Sequence, residues 1–168
     1  MKWYVLFTQY NHERTVYERV VRKGFQSYLP LATVWRQSKR GVRQVATPLF
    51  RRYVFIRCHL EMYTHLELIS TSGVVWLQED SQGQSLIVPD EEIQLVRRLG
   101  DSGRPLQCTA YSLHGNHVRV MQGPLRGICG LIQDEARTTL LVPIHSLETS
   151  IAVEISGTQV IPRIDMVS

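Results

Sequence analysis

The side chains best able to do chemistry are scattered along this sequence. His114 and His117 stand three residues apart. That spacing suits two metal ligands on a helix, but here they flank Gly115 in a strand-and-turn context, where they face different ways. Cys58, Cys108 and Cys129 are odd in number, far apart and form no Cys-x-x-Cys pair, so neither a disulfide framework nor a zinc site is expected. All three read as buried or half-buried thiols. Gly123-Pro124-Leu125-Arg126-Gly127 lacks the lysine of a phosphate loop, and no His-Glu-x-x-His, Gly-x-Ser-x-Gly or clustered carboxylate pair occurs. The expectation is a protein with no catalytic residues, no metal and no cofactor, and so not an enzyme.

What is concentrated is positive charge. Residues 1 to 100 carry 14 Lys+Arg against 9 Asp+Glu, whereas residues 101 to 168 carry 5 against 6. From Arg36 to Arg57 there are seven cations, Arg36, Lys39, Arg40, Arg43, Arg51, Arg52 and Arg57, and no acidic residue. Such a block attracts nucleic-acid phosphates, or else forms a solvated basic hairpin that aids solubility. With 43% hydrophobic and 20% charged residues the 168-residue chain is globular in composition. Its longest apolar runs are a handful of residues, well short of a membrane span, and the Met1-Lys2-Trp3-Tyr4 start has no signal-peptide core. A cytoplasmic monomer with no membrane partner is expected.

Elements that would position these residues alternate between strand and helix. Lys2 to Thr8 reads as a strand, and a helix follows with Asn11 as its cap, Val16, Tyr17, Val20 and Val21 as its apolar face and Gly24 as its stop. Its polar face carries Arg14, Glu18, Arg19, Arg22 and Lys23. Extended segments at Ser27–Leu31 and Thr33–Gln37 lead to a turn at Gly41, which makes a basic hairpin. Tyr53 to Arg57 is a strand, Glu61 to Thr71 a helix, and Val74 to Gln78 a strand. The helix from Pro89 to Leu99 has Asp90, Glu91 and Glu92 in its first turn, Arg97 and Arg98 in its last, and Gly100 beyond it. Residues 100–109, opening with Gly100-Asp101-Ser102-Gly103-Arg104-Pro105, read as a linker between a domain of residues 1–99 and one of 110–168. In the second domain the period changes to 2, at Val118–Val120, Cys129–Ile132, Leu140–Val142, Ile151–Ile155 and Gln159–Ile161, which points to a small closed β-barrel.

Within that second domain, Gly115-Asn116-His117-Val118-Arg119-Val120-Met121-Gln122-Gly123-Pro124-Leu125-Arg126-Gly127 resembles the KOW motif, with Gly115, Val118, Val120, Gly123, Pro124 and Gly127 at its key positions. Glycines and proline permit tight turns at both ends of an alternating strand. Trp3-Tyr4-Val5-Leu6-Phe7, Pro48-Leu49-Phe50-Arg51-Arg52-Tyr53-Val54-Phe55, Gly73-Val74 and Pro89-Asp90-Glu91-Glu92-Ile93 together resemble the N-terminal domain of the NusG family. Order and spacing match over nearly the whole chain. Asp134-Glu135-Ala136-Arg137-Thr138-Thr139-Leu140-Leu141-Val142 is similar to the C-terminal segment of the operon-specific RfaH branch of that family. Two departures stand out: Arg51-Arg52 replaces the family's Pro-Gly or Pro-Asn, and Asn116 replaces the Asp after the KOW glycine.

The resemblance implies an α+β fold, an α/β sandwich with a mainly antiparallel sheet followed by a KOW β-barrel. It implies a transcription elongation factor that binds RNA polymerase and suppresses pausing or termination. Val5, Phe7, Phe50, Tyr53 and Phe55 match the face that clasps the clamp helices of the polymerase largest subunit. Tyr53 and Phe55 share one side of a strand by period 2, although aromatic residues on strands are commonly core. Thr64 and His65 fall where RfaH-like factors touch the polymerase gate loop with a short loop. Arg14, Arg19, Arg22, Lys23, Thr71 and Ser72, with Arg40 and Arg43 of the hairpin, match or extend the surface facing the non-template DNA strand. Through the KOW domain a small-subunit ribosomal protein or a termination factor is an implied partner. A KOW-type RNA- or ribosome-binding protein with no polymerase role is the alternative.

An operon-restricted factor must be masked until its signal arrives. A flexible tether of about 10 residues gives millimolar effective concentration, enough for weak docking of one domain on the other. In RfaH the C-terminal domain masks as a helical hairpin. Here Asp134 to Leu141 has helix formers, but Pro143 would interrupt a long helix and Ile151 to Ile155 alternates as a strand, so a barrel is the expectation and a helical hairpin the alternative.

Overall fold

Alternation in the first strand organises the first half of the molecule. The computed structural model describes residues 1–134, 136, 138–155 and 160–162. β1 (Lys2–Thr8), α1 (Glu13–Arg22), β2 (Gln26–Tyr28), β3 (Leu31–Ser38), β4 (Gly41–Pro48), β5 (Tyr53–Cys58), α2 (Met62–Ile69), β6 (Val74–Leu77) and α3 (Asp90–Asp101) follow in order. One compact unit comprises Met1–Leu31 and Ala46–Ile93; the other comprises Ala32–Val45 and the described residues from Gln94 onward.

In the first unit the sheet order is β2-β5-β1-β6, with every pair antiparallel. Successive side chains of a strand point to opposite faces. Tyr4 and Leu6 of β1 and Val54, Ile56 and Cys58 of β5 thus join Val16 and Val20 of α1, Leu68 of α2 and Leu77 of β6 in one core cluster. Leu6, Val16, Val20, Val54, Ile56 and Leu68 are fully buried, and each large apolar side chain so placed contributes about 1.5 to 3 kcal/mol. Trp3, Val5 and Phe7, the intervening residues, face the other way.

Helix ends differ from the sequence reading at two points. Asn11 does not cap α1: it has φ 60, and His12 holds the N-cap position without a side-chain hydrogen bond. At the other end Gly24, φ 90, is the expected stop. Gly24 N–H donates to Val21 O (2.9 Å) and Phe25 N–H to Val20 O (3.1 Å), the paired bonds of a Schellman ending. Gly100 does not terminate α3, which runs on to Asp101. Gly100 is thus the penultimate residue of the helix, in the last turn behind the buried stripe Ile93, Val96 and Leu99. The segment read as linker is therefore helical to Asp101 and becomes a strand at Leu106.

From β7 (Leu106–Ala110) the second unit is built of strands: β8 (Asn116–Val120), β9 (Cys129–Ile132), β10 (Thr139–Ile144), β11 (Thr149–Glu154) and β12 (Val160–Pro162). A short 3₁₀ turn, His145–Leu147, precedes β11. Their order is β12-β8-β9-β10-β11-β7, antiparallel throughout. Among the described residues this is a six-stranded antiparallel sheet with β12 and β7 at its two ends. Leu140, Val142 and Ile144 alternate with Leu141 and Pro143, and Ile151 and Val153 oppose them from β11; all five of these apolar inward residues are buried. The helical-hairpin alternative is not the state seen, since β10 and β11 occupy that segment. Glu135, Arg137 and Gln159 lie outside the described residues.

Gly115, φ 133, fits the KOW reading for a steric reason. A Cβ there would lie 2.8 Å from the Ile132 carbonyl oxygen, so only glycine lets β8 start against β9. Val118 and Val120 point into the core, while Gly123, Pro124 and Gly127 form the exposed turn that Gly127 N–H closes onto Val120 O at 2.8 Å. Asn116, the departure from the motif, opens β8 opposite Ile132.

Candidate functional site

The sheet face opposite α1 and α2 carries an aromatic row. Register places Phe7 opposite Tyr53 on one side and opposite Trp76 on the other, and Phe55 opposite both Val5 and Tyr28. Phe7 stacks on Trp76 with ring centroids 4.4 Å apart and an interplanar angle of 13°, and meets Tyr53 edge-on at 6.0 Å. Phe55 meets Phe50 at 5.7 Å and Tyr28 at 6.3 Å. Such contacts add about 0.5 to 1.5 kcal/mol each beyond area burial.

Depth separates the residues that the resemblance assigned to this face. Phe7 and Tyr53 are half-buried and offer ring surface, and burial pushes the Tyr53 phenol above its ordinary pKa. Val5, Phe50 and Phe55 are buried, at 0%, 4% and 1% exposure. They support the row from within, because β1 and β5 are the two central strands and Phe50 packs its edge onto Phe55. Trp76, at 48% exposure, belongs to the same surface and was not singled out from sequence. The signal that could have found it is the alternation Val74-Val75-Trp76-Leu77. That signal is blurred by a register shift between Phe7 and Thr8 against β6.

The Arg51-Arg52 departure has a structural solution. Arg52 has φ 67, the left-handed region where the family's Gly or Asn is at ease. Several bonds hold it there. Its N–H donates to Glu13 Oε1 (2.8 Å), its Nε donates to Thr8 O (2.8 Å), and its carbonyl accepts Thr8 N–H (2.8 Å). The guanidinium carbon sits 4.0 Å from the Phe7 ring centroid, a cation–π contact of about 0.5 to 1 kcal/mol. Glu13 is only 5% exposed, so its carboxylate is spent on this turn. A hydrogen bond to a charged acceptor is worth about 1 kcal/mol more than a neutral one. Glu13→Gln is therefore expected to destabilise the protein by about 1 kcal/mol in urea melts, and an unchanged midpoint would show that the carboxylate does not hold the turn.

A second surface forms where α1 meets the loop before β6. Arg19 Nη1 donates to Ser72 O (2.6 Å), and Lys23 Nζ donates to Glu67 O (2.9 Å) and Thr71 Oγ1 (2.8 Å). Thr71 donates to Glu67 O (3.0 Å) and is buried, so its hydroxyl is out of reach of a DNA strand in this structure. Ser72 is exposed. Gly73, φ 95, permits the approach: a Cβ there would lie 2.8 Å from Val16 Cγ2. Arg22 is the freest cation of the group, paired only loosely with Glu18 at 3.7 Å with both side chains well exposed. Arg14 Nη2 donates to Ala46 O (2.7 Å). The structure thus brings Arg19, Lys23, Thr71 and Ser72 together, partly as structural fastenings.

The remaining candidates stand apart. Arg40 and Arg43 are exposed on the β3–β4 hairpin, in the part from Ala32 to Val45 that belongs to the other compact unit. Thr64 and His65 lie within helix α2 rather than on a loop; His65 is exposed and Thr64 half-buried, beside exposed Met62 (82%), Tyr63 (78%) and Leu66 (55%). Cys58, Cys108 and Cys129 are free thiols, buried or half-buried as expected, and burial pushes Cys108 up to about 11. Among the described residues no three His, Cys, Asp or Glu side chains group to hold a metal, and no helix is long and apolar enough to cross a membrane.

Comparison with known proteins bears on the family and the fold. A family model described as "Transcription termination factor nusG" matches residues 1–97. The fold is similar to that of Thermotoga maritima NusG, from a structure describing its domain interaction, with 22% identity, 98% of this chain and 97% of that chain covered, and a TM-score of 0.58. The MjSpt4:Spt5 complex in its conformation A is a weaker match, with 14% identity, 96% and 97% coverage and a TM-score of 0.33. No curated protein sequence matches. With more than half of its length under the family model, the chain belongs to the NusG family of transcription factors.

Proposed function

We propose that this protein is a non-catalytic, cytoplasmic elongation factor that rides on RNA polymerase and suppresses pausing or termination. The observation that carries the reading is the aromatic row Trp76–Phe7–Tyr53, half-exposed on the sheet face away from α1 and α2 and braced by Arg52. Half-buried aromatic residues with an arginine at their edge have the composition of a binding hot spot. The clamp helices of the polymerase largest subunit are the partner this face would take, with Thr64 and His65 toward the gate loop. Arg14, Arg19, Arg22, Lys23 and Ser72, with Arg40 and Arg43, would meet the non-template DNA strand through its phosphates. The KOW unit would recruit a small-subunit ribosomal protein or a termination factor. Operon specificity of the RfaH kind is part of the proposal, supported by the segment from Asp134 to Val142.

Pull-down with the tagged full chain from a lysate is expected to recover core polymerase. Recovery of ribosomal RNA without polymerase would favour the RNA- or ribosome-binding alternative instead.

A further inference from the structure

Phe7 has a neighbouring strand on each side. β6 flanks β1 on one side and sets Trp76 against Phe7, while β5 flanks it on the other, with Arg52 just ahead of its first residue. Trp76 stacks nearly parallel to the Phe7 ring at 4.4 Å, and the Arg52 guanidinium carbon lies 4.0 Å from the same ring centroid. Two planar groups cannot share one face of a six-membered ring at those separations, and these two approach from opposite flanks. Trp76, Phe7 and Arg52 therefore form a stack with Phe7 in the middle, both of its faces closed and part of its edge left for a partner. Outward the stack offers the far face of Trp76, whose Nε1 donates to Gln78 Oε1 (3.2 Å), and the far side of the guanidinium.

That guanidinium is held in place but incompletely satisfied. Stacking on Phe7 and the bond from Nε to Thr8 O (2.8 Å) set its plane, yet among the described residues neither Nη atom has a hydrogen bond or an ion pair. Glu13 takes the Arg52 backbone N–H and forms no ion pair with the side chain. A partner lying on Trp76, the Phe7 edge and Tyr53 takes this half-buried cation out of water as well. An unpaired charge so enclosed is strongly disfavoured, whereas a carboxylate meeting both Nη atoms forms two parallel charge-assisted hydrogen bonds. Because the plane is already set, little side-chain freedom is lost when they form. We infer that Arg52 is a specificity-determining residue of this face, pairing through its two Nη groups with an Asp or Glu that the partner segment carries beside its apolar contact. A nucleic-acid strand would need several cations along its path, and this row has them at one end only, at Arg51 and Arg52. The inference rests on the reading that the clamp helices cover the row, and it names the charge they must supply.

The test is a titration of the full chain against purified core polymerase, with and without a nucleic-acid scaffold. Arg52→Gly places at φ 67 the residue that backbone prefers, so the variant should fold, and it should bind scaffold-free polymerase roughly 30-fold or more weakly. Arg52→Gln, which keeps a stem against Phe7 without the charge, is the second variant and should lose as much. Replacing each Asp and Glu of the clamp helices in turn by Asn or Gln should reveal one change that weakens the wild type by a similar factor and leaves Arg52→Gly binding as before, the non-additivity of a direct pair. Wild-type affinity in either folded variant, or losses that simply add for every carboxylate tested, would overturn the pairing. A loss confined to polymerase carrying the scaffold would overturn it too, in favour of a phosphate. If Phe7→Ala/Tyr53→Ala loses binding while Arg52→Gly and Arg52→Gln keep it, the polymerase reading stands without this anchor; a wild type that does not bind polymerase removes both.

Discussion

Replacing Phe7 and Tyr53 together by alanine is expected to abolish measurable binding of the full chain to core RNA polymerase while leaving a folded protein. Each ring is half-buried, so each presents area to a partner yet takes part in the sheet face. Truncating a buried interface aromatic costs about 2 kcal/mol or more, a factor of about 30 in affinity for each ring. The pair lies side by side across β1 and β5 at 6.0 Å, so the two losses will not add independently. Folding is the necessary control, and the depth of each ring guides the choice of variant. Phe55→Ala would open the core and destabilise by about 3 to 5 kcal/mol, which makes it unsuitable as an interface probe. Trp76→Ala removes the exposed ring that stacks on Phe7 and should weaken polymerase binding without loss of fold. Unchanged affinity in a folded Phe7→Ala/Tyr53→Ala protein would remove the face from the account.

Gly73→Ala should be among the most destabilising single changes that adds only one carbon. At φ 95 a side chain is strained, at about 1 to 2 kcal/mol. The added Cβ would also fall 2.8 Å from Val16 Cγ2, and Val16 is fully buried on the inner side of α1. Overpacking of that kind costs about 1 to 3 kcal/mol. Together they predict a loss of about 3 kcal/mol and a melting temperature lowered by roughly 10 °C. Nucleic-acid binding should fall as well, since α1 and the loop at Thr71 and Ser72 are fastened by Arg19 and Lys23 across this contact. A melting temperature within a degree of wild type would show that the loop yields and that the close approach is not needed.

Much of this was legible because it follows from period. Tyr4 and Leu6 facing α1 and α2, with Trp3, Val5 and Phe7 facing away, is what alternation in a strand requires, and the same rule accounts for the inward residues of β10 and β11. Gly24 ends α1 as its position predicts. Alternation assigns a face and not a depth, however. Whether Phe50 and Phe55 are surface or core depends on neighbours brought in by distant segments, and the sequence alone does not fix that. Asn11 resembles a cap, yet it takes φ 60 instead and leaves His12 at the cap. Gly100 looks like a stop and falls one residue short of it, since α3 ends at Asp101. Arg52 could be flagged as a departure from sequence; its remedy, a buried Glu13 carboxylate 39 positions away along the chain, could not. Trp76 escaped notice because its strand is four residues long and carries an irregular register.

Single-round transcription with purified core polymerase tests the central claim most directly. On a template with a strong pause and a downstream terminator, the account predicts that the full chain shortens the pause and increases read-through, and that the folded Phe7→Ala/Tyr53→Ala variant does neither. Elongation profiles identical with and without the wild-type protein, on templates both with and without candidate leader elements, would contradict it.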